Sequence, residues 1–430
     1  MSRHNRREAR SRVRSRIAVV LAGAALLSWA GPGANAFWTS TSNGGSASTS
    51  ADAVGTGTTP AATVSGGNVT LAWNASTTVA GRTVTGYTVA RYASASGGTR
   101  VPAGGTCVGT VTAGLVCTDQ GVPTGTWYYT VTPVLAQWQG LESSRSSGAA
   151  VDTTPPSAPT VVAPAYVYSG NVAAVQVSGT TEPGASIALN VTDAGAAHTV
   201  SAATTANASG AWNATVNLTG LTAGTVTYRA VATDTAGNQG NPAAPGTATS
   251  LKDVTAPAVS TVALADAGIP GKNGSTPGLL DSGDKVTITF SESMDAATIC
   301  SKWAVGADGT VNGNNGQVMV NVSASNVLSV TVMSAGCATS RIGTVALAGT
   351  YYGSGTLSYG GNGSNASSLS WSASARTLTI TLGARGAAGT AHTVIQPAAT
   401  PSFTPDAGIT DAAGNPLSTE KFTSTTASSF

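Results

Sequence analysis

The side chains best placed to do chemistry are a few carboxylates in turn-like contexts. The pattern D-x-A-G-N occurs twice, at Asp234 to Asn238 and at Asp411 to Asn415. Two further acids stand at Pro-containing joints, Asp152 before Thr153-Thr154-Pro155-Pro156 and Asp253 before Val254-Thr255-Ala256-Pro257. Glu182 opens an E-P-G turn. Carboxylates and turn carbonyls that converge suit Ca²⁺, a hard cation taking roughly six to eight oxygens. Taken singly, each Asp equally fits a turn that bonds its own backbone. Acid–base or nucleophilic catalysis has little to draw on. Beyond the basic N-terminal stretch only His198 and His392 remain, and no G-x-S-x-G, H-E-x-x-H, P-loop or C-x-x-C motif occurs. The chain is therefore expected not to be an enzyme, and to need no cofactor unless structural Ca²⁺.

Four cysteines fall in two separate pairs, Cys107/Cys117 and Cys300/Cys337. An even number, local clustering and the absence of C-x-x-C or His partners favour two disulfides over a metal site. The expected pairs are Cys107–Cys117 and Cys300–Cys337.

Residues 1–36 read as an export signal. Seven Arg precede the apolar run Ile17 to Ala30, then Gly31-Pro32 and the A-x-A pattern Ala34-Asn35-Ala36, which places cleavage after Ala36. Fourteen apolar residues are too few for a bilayer span, so no membrane insertion is expected once the signal is removed. The formal charge of +2 is set by this segment, since its seven Arg and one Glu contribute +6 and leave the remainder near −4. A slightly acidic chain without a Lys/Arg run has no electrostatic footprint for nucleic acid.

The elements that must position these acids are strands. Charged residues make up 9%, hydrophobic residues 41%, and there are 53 Gly and 19 Pro. That balance excludes a coiled coil or an ordinary helical enzyme, and the alternating β-branched runs point to a folded all-β chain. Residues 37–59, rich in Ser, Thr and Gly, lack apolar periodicity and read as a flexible leader. From residue 60 short alternating runs begin. Val69, Leu71 and Trp73 form one, and Tyr129, Val131 and Pro133 another.

The runs VTLAWNAS (69–76), VTGYTVARY (84–92) and PTGTWYYTVTPV (123–134) resemble a fibronectin type III-like domain over 60–151. The resemblance implies Trp73 as a core residue and Tyr129 as a corner tyrosine bonded to backbone. Residues 152–253, with E-P-G and D-x-A-G-N, resemble the bacterial Ig-like modules of surface adhesins. Residues 254–430, with KVTITFSESMDAATI (285–299) and ITDAAGNPLS (409–418), resemble the Ig-like domains of bacterial S-layer proteins, with an insertion at 300–370. Three tandem β-sandwiches after a cleaved signal are thus expected.

In a sandwich, successive loops alternate between the two poles. D-x-A-G-N falls at the expected F–G loop, so Asp234 is expected beside Asp152, and Asp411 beside Asp253. Glu182, in the presumed A–B loop, is expected at the second joint and Asp119 at the first. Together these acids would hold junction Ca²⁺. The large aromatics Trp127, Tyr128, Trp138, Trp303, Tyr351, Tyr352, Tyr359 and Trp371 fit either core packing or stacking on sugar rings. The function these features imply is non-catalytic, extracellular or at the cell surface, in adhesion or as a scaffold, with a protein or glycan of the surface or matrix as partner. Two alternatives remain open: a self-assembling matrix or surface fibre subunit, and an accessory carbohydrate-binding protein of a polysaccharide-degrading system.

Overall fold

The computed structural model describes residues 36–43, 46–267, 276–333 and 337–430, with strands the dominant regular element. The export signal lies outside the described residues except for Ala36. Two compact units result, one of residues up to Pro156 with Thr233–Gly240, the other of Ser157–Ala232 with Asn241–Phe430. The expected second and third domains therefore fall, apart from one loop, in a single unit.

In the first unit, the expected flexible leader carries two strands. β1 (Ala36–Asn43) and β2 (Ser46–Ala53) pair antiparallel, from Ala36 against Ala53 to Asn43 against Ser46. Apolar alternation reports burial rather than strand formation, and a Ser/Thr-rich ribbon without that alternation gives no such signal. The sandwich also begins earlier than residue 60. Asp52 is buried and accepts from the N–H of Ala53 and Ala80, Val54 bridges Thr78, and Gly57 N–H reaches the Leu141 carbonyl.

The strands that follow are β3 (Ala61–Ser65), β4 (Asn68–Ala72), β5 (Gly86–Tyr92), β6 (Val116–Asp119), β7 (Gly125–Leu135) and β8 (Ala149–Val151). β4 lies between β3 and β6 in one sheet, while β7 pairs with both β5 and β8 in the facing layer. Their inward residues Val69, Leu71, Tyr87, Val89, Tyr129 and Val131 form the core, with Trp73 edge-on to Tyr87 at 5.5 Å. Cys107 and Cys117 are bonded as expected. Two expectations are corrected here. Asp119 does not approach a joint: it is fully buried, accepting from Arg91 Nη1 at 2.9 Å and from Gly104 N–H. The Tyr129 hydroxyl donates to this carboxylate at 3.1 Å rather than to backbone. A buried carboxylate needs donors, and the Gly104 N–H, Arg91 and Tyr129 supply them.

The second sandwich comprises β9 (Tyr166–Val167), β10 (Val175–Thr180), β11 (Ser186–Thr192), β12 (Thr199–Thr205), β13 (Ala211–Val216), β14 (Gly224–Thr233) and β15 (Gly246–Lys252). β10 pairs with β13, and the facing sheet runs β9-β15-β14-β11-β12. Trp212, Ile187, Leu189, Val226 and Tyr228 fill the space between them.

The third begins with β16 (Val259–Ala265) and β17 (Lys285–Phe290), continuing through β18 (Gly309–Asn312), β19 (Val318–Val322), β20 (Val327–Val332), β21 (Thr344–Ala346), β22 (Tyr352–Gly355), β23 (Leu357–Gly360), β24 (Ser368–Ser372), β25 (Thr377–Thr381) and β26 (Ser402–Thr404). One sheet is β16-β17-β25-β24-β18. The other has seven strands, with β23-β19-β20-β21-β26 in its middle. Residues 300–370 are therefore no insertion: they supply strands to both layers. Trp303, Tyr351, Tyr359 and Trp371 are core residues, Tyr351 edge-on to Phe430 and Trp371 against Phe290. Cys300–Cys337 is formed.

Candidate metal centre

The two D-x-A-G-N segments fold alike. In each, the first Asp uses one oxygen to accept backbone N–H groups of its own loop. Asp234 takes those of Ala236 and Asn238, both at 2.8 Å; Asp411 takes those of Ala413, Gly414 and Asn415 at 2.7–2.9 Å. The Gly completes the turn at positive φ, +93° at Gly237 and +107° at Gly414, where a side chain would be strained. The Asn then reaches outward. Asn238 Nδ2 donates to Asp234 Oδ2 at 2.8 Å and to the Asp152 carbonyl at 3.0 Å. Asn415 Nδ2 does the same with Asp411 Oδ2 at 2.8 Å and the Asp253 carbonyl at 2.9 Å.

At the first of these, Asp152 Oδ1 accepts the Thr154 N–H and Asp234 is occupied within its loop, just as Asp253 Oδ1 accepts the Thr255 N–H and Asp411 is occupied at the second; the number of acids, not their bonding, separates the two joints. Burial disfavours the Asp234 charge, but the Asn238 amide and the loop N–H groups outweigh it and hold the carboxyl below its ordinary range. Among the described residues no third acid joins this pair.

The second site is richer. The chain leaves Asp253, runs out along β16 and returns along β17, pairing Phe290 with Val259, so the acid two residues past β17 comes back to the joint. That acid is Glu292. Met294 then bridges Asp411, and Asp295 N–H bonds the Thr410 carbonyl, which docks the D-x-A-G-N loop beside it. Ligand oxygens of Asp253, Glu292 and Asp411 lie within 4.8 Å of one another. Asn415, fully buried, also accepts the Ser169 N–H at 2.8 Å through Oδ1, tying the β9–β10 turn to the same loop.

Glu182 is not part of this cluster. It is exposed in the turn joining β10 to β11, one connection later than expected, because the short β9 preceding it carries too few alternating residues to be counted. The segment at this pole is Tyr168-Ser169. The acid that sequence reasoning missed, Glu292, was signalled by a charged residue immediately past the end of K-V-T-I-T-F.

The donor set is three carboxylates, with no nitrogen or sulfur, which fits a hard cation such as Ca²⁺ rather than Zn²⁺. Asp411 is buried, while Asp253 and Glu292 are half-exposed and open to water ligands. Burial, then the charges of Asp253 and Asp411, push the Glu292 carboxyl up from its ordinary range. Among the described residues no ion pair engages any of the three; Asp411 is met by its loop N–H groups and the Asn415 amide, and Asp253 by the Thr255 N–H.

No family model and no curated protein matches the chain. Among solved structures it is similar to three consecutive fibronectin domains (FN1–FN3) of chicken CNTN1, at 11% identity over 86% of this chain and 99% of that one, TM-score 0.24. It is also similar to a tetra-tandem repeat in the extending region of a large adhesion protein, at 14% identity over 90% and 80%, TM-score 0.24. A third is the chicken interferon gamma receptor alpha chain, at 10% identity over 45% and 96%, TM-score 0.21. The all-β sandwich class stands on the paired strands themselves. Among the described residues no helix is long and apolar enough to cross a membrane.

Asn415 carries three bonds at the second joint, so Asn415→Ala is expected to lower unfolding stability by about 2 kcal/mol, leaving the Ser169 N–H and the Asp253 carbonyl unsatisfied. Urea unfolding checks this, with the more exposed Asn238→Ala expected to cost less.

Proposed function

We propose that the protein works outside the cell as a non-catalytic adhesive or scaffold chain of consecutive Ig-like sandwiches, its second joint stiffened by Ca²⁺ held by Asp253, Glu292 and Asp411. The observation that carries this reading is the gathering of three carboxylates around a joint already clamped by Asn415. A clamp that fixes the entering strand, and a cluster of three carboxylates that a cation would neutralise, suit a segment that must hold its geometry. Two disulfides support an oxidising compartment. The test is co-sedimentation of residues 37–430 with cell walls and insoluble matrix polymers, in Ca²⁺ and in chelator. Saturable binding to one material is expected; binding to none overturns the adhesive reading in favour of a spacer.

A second reading, self-assembly into a fibre, draws on β1 and β2, which pair only with each other among the described residues. Their outer backbone edges suit strand addition by another copy. Deleting 37–59 separates the two: a fibre former loses assembly, whereas an adhesin keeps its ligand.

A further inference from the structure

The outer face of the seven-stranded sheet in the third sandwich holds a small groove that the joint chemistry does not use. Asn321 alternates with buried Val320 and Val322 along β19 and therefore faces outward. Ser329 of β20 and Ser358 of β23 stand opposite it. Where β19 ends, Asn321, Ser323, Ser329, Tyr352 and Thr356 line a groove of about 280 Å³. The half-buried Tyr352 donates its hydroxyl to the Gly355 carbonyl at 2.8 Å, so what it offers the groove is ring carbon. No charged side chain lines the groove.

We propose that this groove binds a neutral saccharide. A sugar ring combines an apolar C–H face with a rim of hydroxyls. An aromatic ring whose own hydroxyl is committed matches the face, and a carboxamide with three hydroxyls around it matches the rim. An ionic ligand would find no counter-charge there. The size admits one sugar unit rather than a long stretch of polymer, so the groove recognises a residue within a chain or at its end. This assignment names the partner for the adhesive reading and rests on it, but does not depend on Ca²⁺.

The test is titration of the protein from residue 37 onward with neutral oligosaccharides of glucose, mannose, galactose and N-acetylglucosamine, with polygalacturonate as the charged control. Saturable binding to a neutral sugar is expected, weakened at least tenfold by Tyr352→Ala and by Asn321→Ala. Asn321 is on the sheet surface, so its variant keeps the fold even where loss of Tyr352 loosens β22, and melting temperature checks both. Absence of binding to every neutral sugar at millimolar concentration overturns the proposal. So does preference for the uronate, or binding that survives both variants. If the protein sediments with a wall material and Asn321→Ala leaves that unchanged, adhesion stands and the groove is not its site.

Discussion

Ca²⁺ is expected to raise the melting temperature of the protein, and chelation to return it, by about 5–10 °C. A ligand that binds only the folded state at a hundredfold excess over its dissociation constant contributes about 2.7 kcal/mol. For a unit of this size that energy corresponds to a few degrees per kcal/mol. The site supplies the reason for folded-state selectivity. Asp253 is brought to Glu292 only by the pairing of β16 with β17, and Asp411 only by its loop docking on Met294. Glu292→Gln is the informative variant, since Glu292 has no hydrogen-bonding role within the loop, unlike Asp411. In chelator it should melt at or above the unaltered protein, because one of three repelling charges is gone. In Ca²⁺ it should lose most of the gain. Mg²⁺ should substitute poorly, since it demands tight octahedral geometry and dehydrates reluctantly. Identical melts with and without Ca²⁺, or a full Ca²⁺ gain in Glu292→Gln, would remove the cation from the joint.

Much of this architecture is legible from residue alternation. Trp73 and Trp212 end or begin apolar series and are core residues, and the cysteine pairs close locally as their spacing suggests. Placing D-x-A-G-N at the F–G loop brings Asp411 to Asp253, because loop alternation between poles follows from strand order alone. What fails is counting. β9 is two residues long and leaves almost no periodic trace, so Glu182 shifts by one connection and the wrong acid is assigned to the joint. The middle of the third sandwich is hidden for a related reason. Strands such as Tyr352–Gly355 and Leu357–Gly360 are short and Gly-rich, so they read as a loop although Tyr351 and Tyr359 are buried. The first-sandwich anion Asp119 is invisible because nothing local distinguishes a carboxylate that folding will bury against Arg91 and Tyr129 from one in an exposed turn.

The stability of the unit containing the second and third sandwiches should fall as pH rises from about 4 to about 7, and Asp284→Asn should flatten that slope. Asp284 is fully buried just before β17, and burial pushes its carboxyl up to about 7, with the charges of Asp281 and Asp266 adding to the effect. The N–H groups of Asp281 and Ala267 oppose it without prevailing. In the unfolded chain the same group titrates near its ordinary value of about 3.9. Between those two values the folded state holds a proton that the unfolded state has released, so raising pH favours unfolding. The full effect across the window is about 4 kcal/mol, at most about 1.4 kcal/mol per pH unit. A second carboxylate of the same unit works in the opposite sense at lower pH. Asp193 accepts from the His198 N–H and ring and from Thr222, which hold its carboxyl well below the usual range. Its contribution is present above the ordinary carboxylate value and is lost as pH falls below it. The two together place maximum stability at about pH 4. Urea unfolding in chelator at intervals from pH 2 to 8 reads both, chelator keeping the joint carboxylates free of cation. A slope unchanged in Asp284→Asn would assign the pH dependence elsewhere. A slope that vanishes in that variant alone would identify Asp284 as its source.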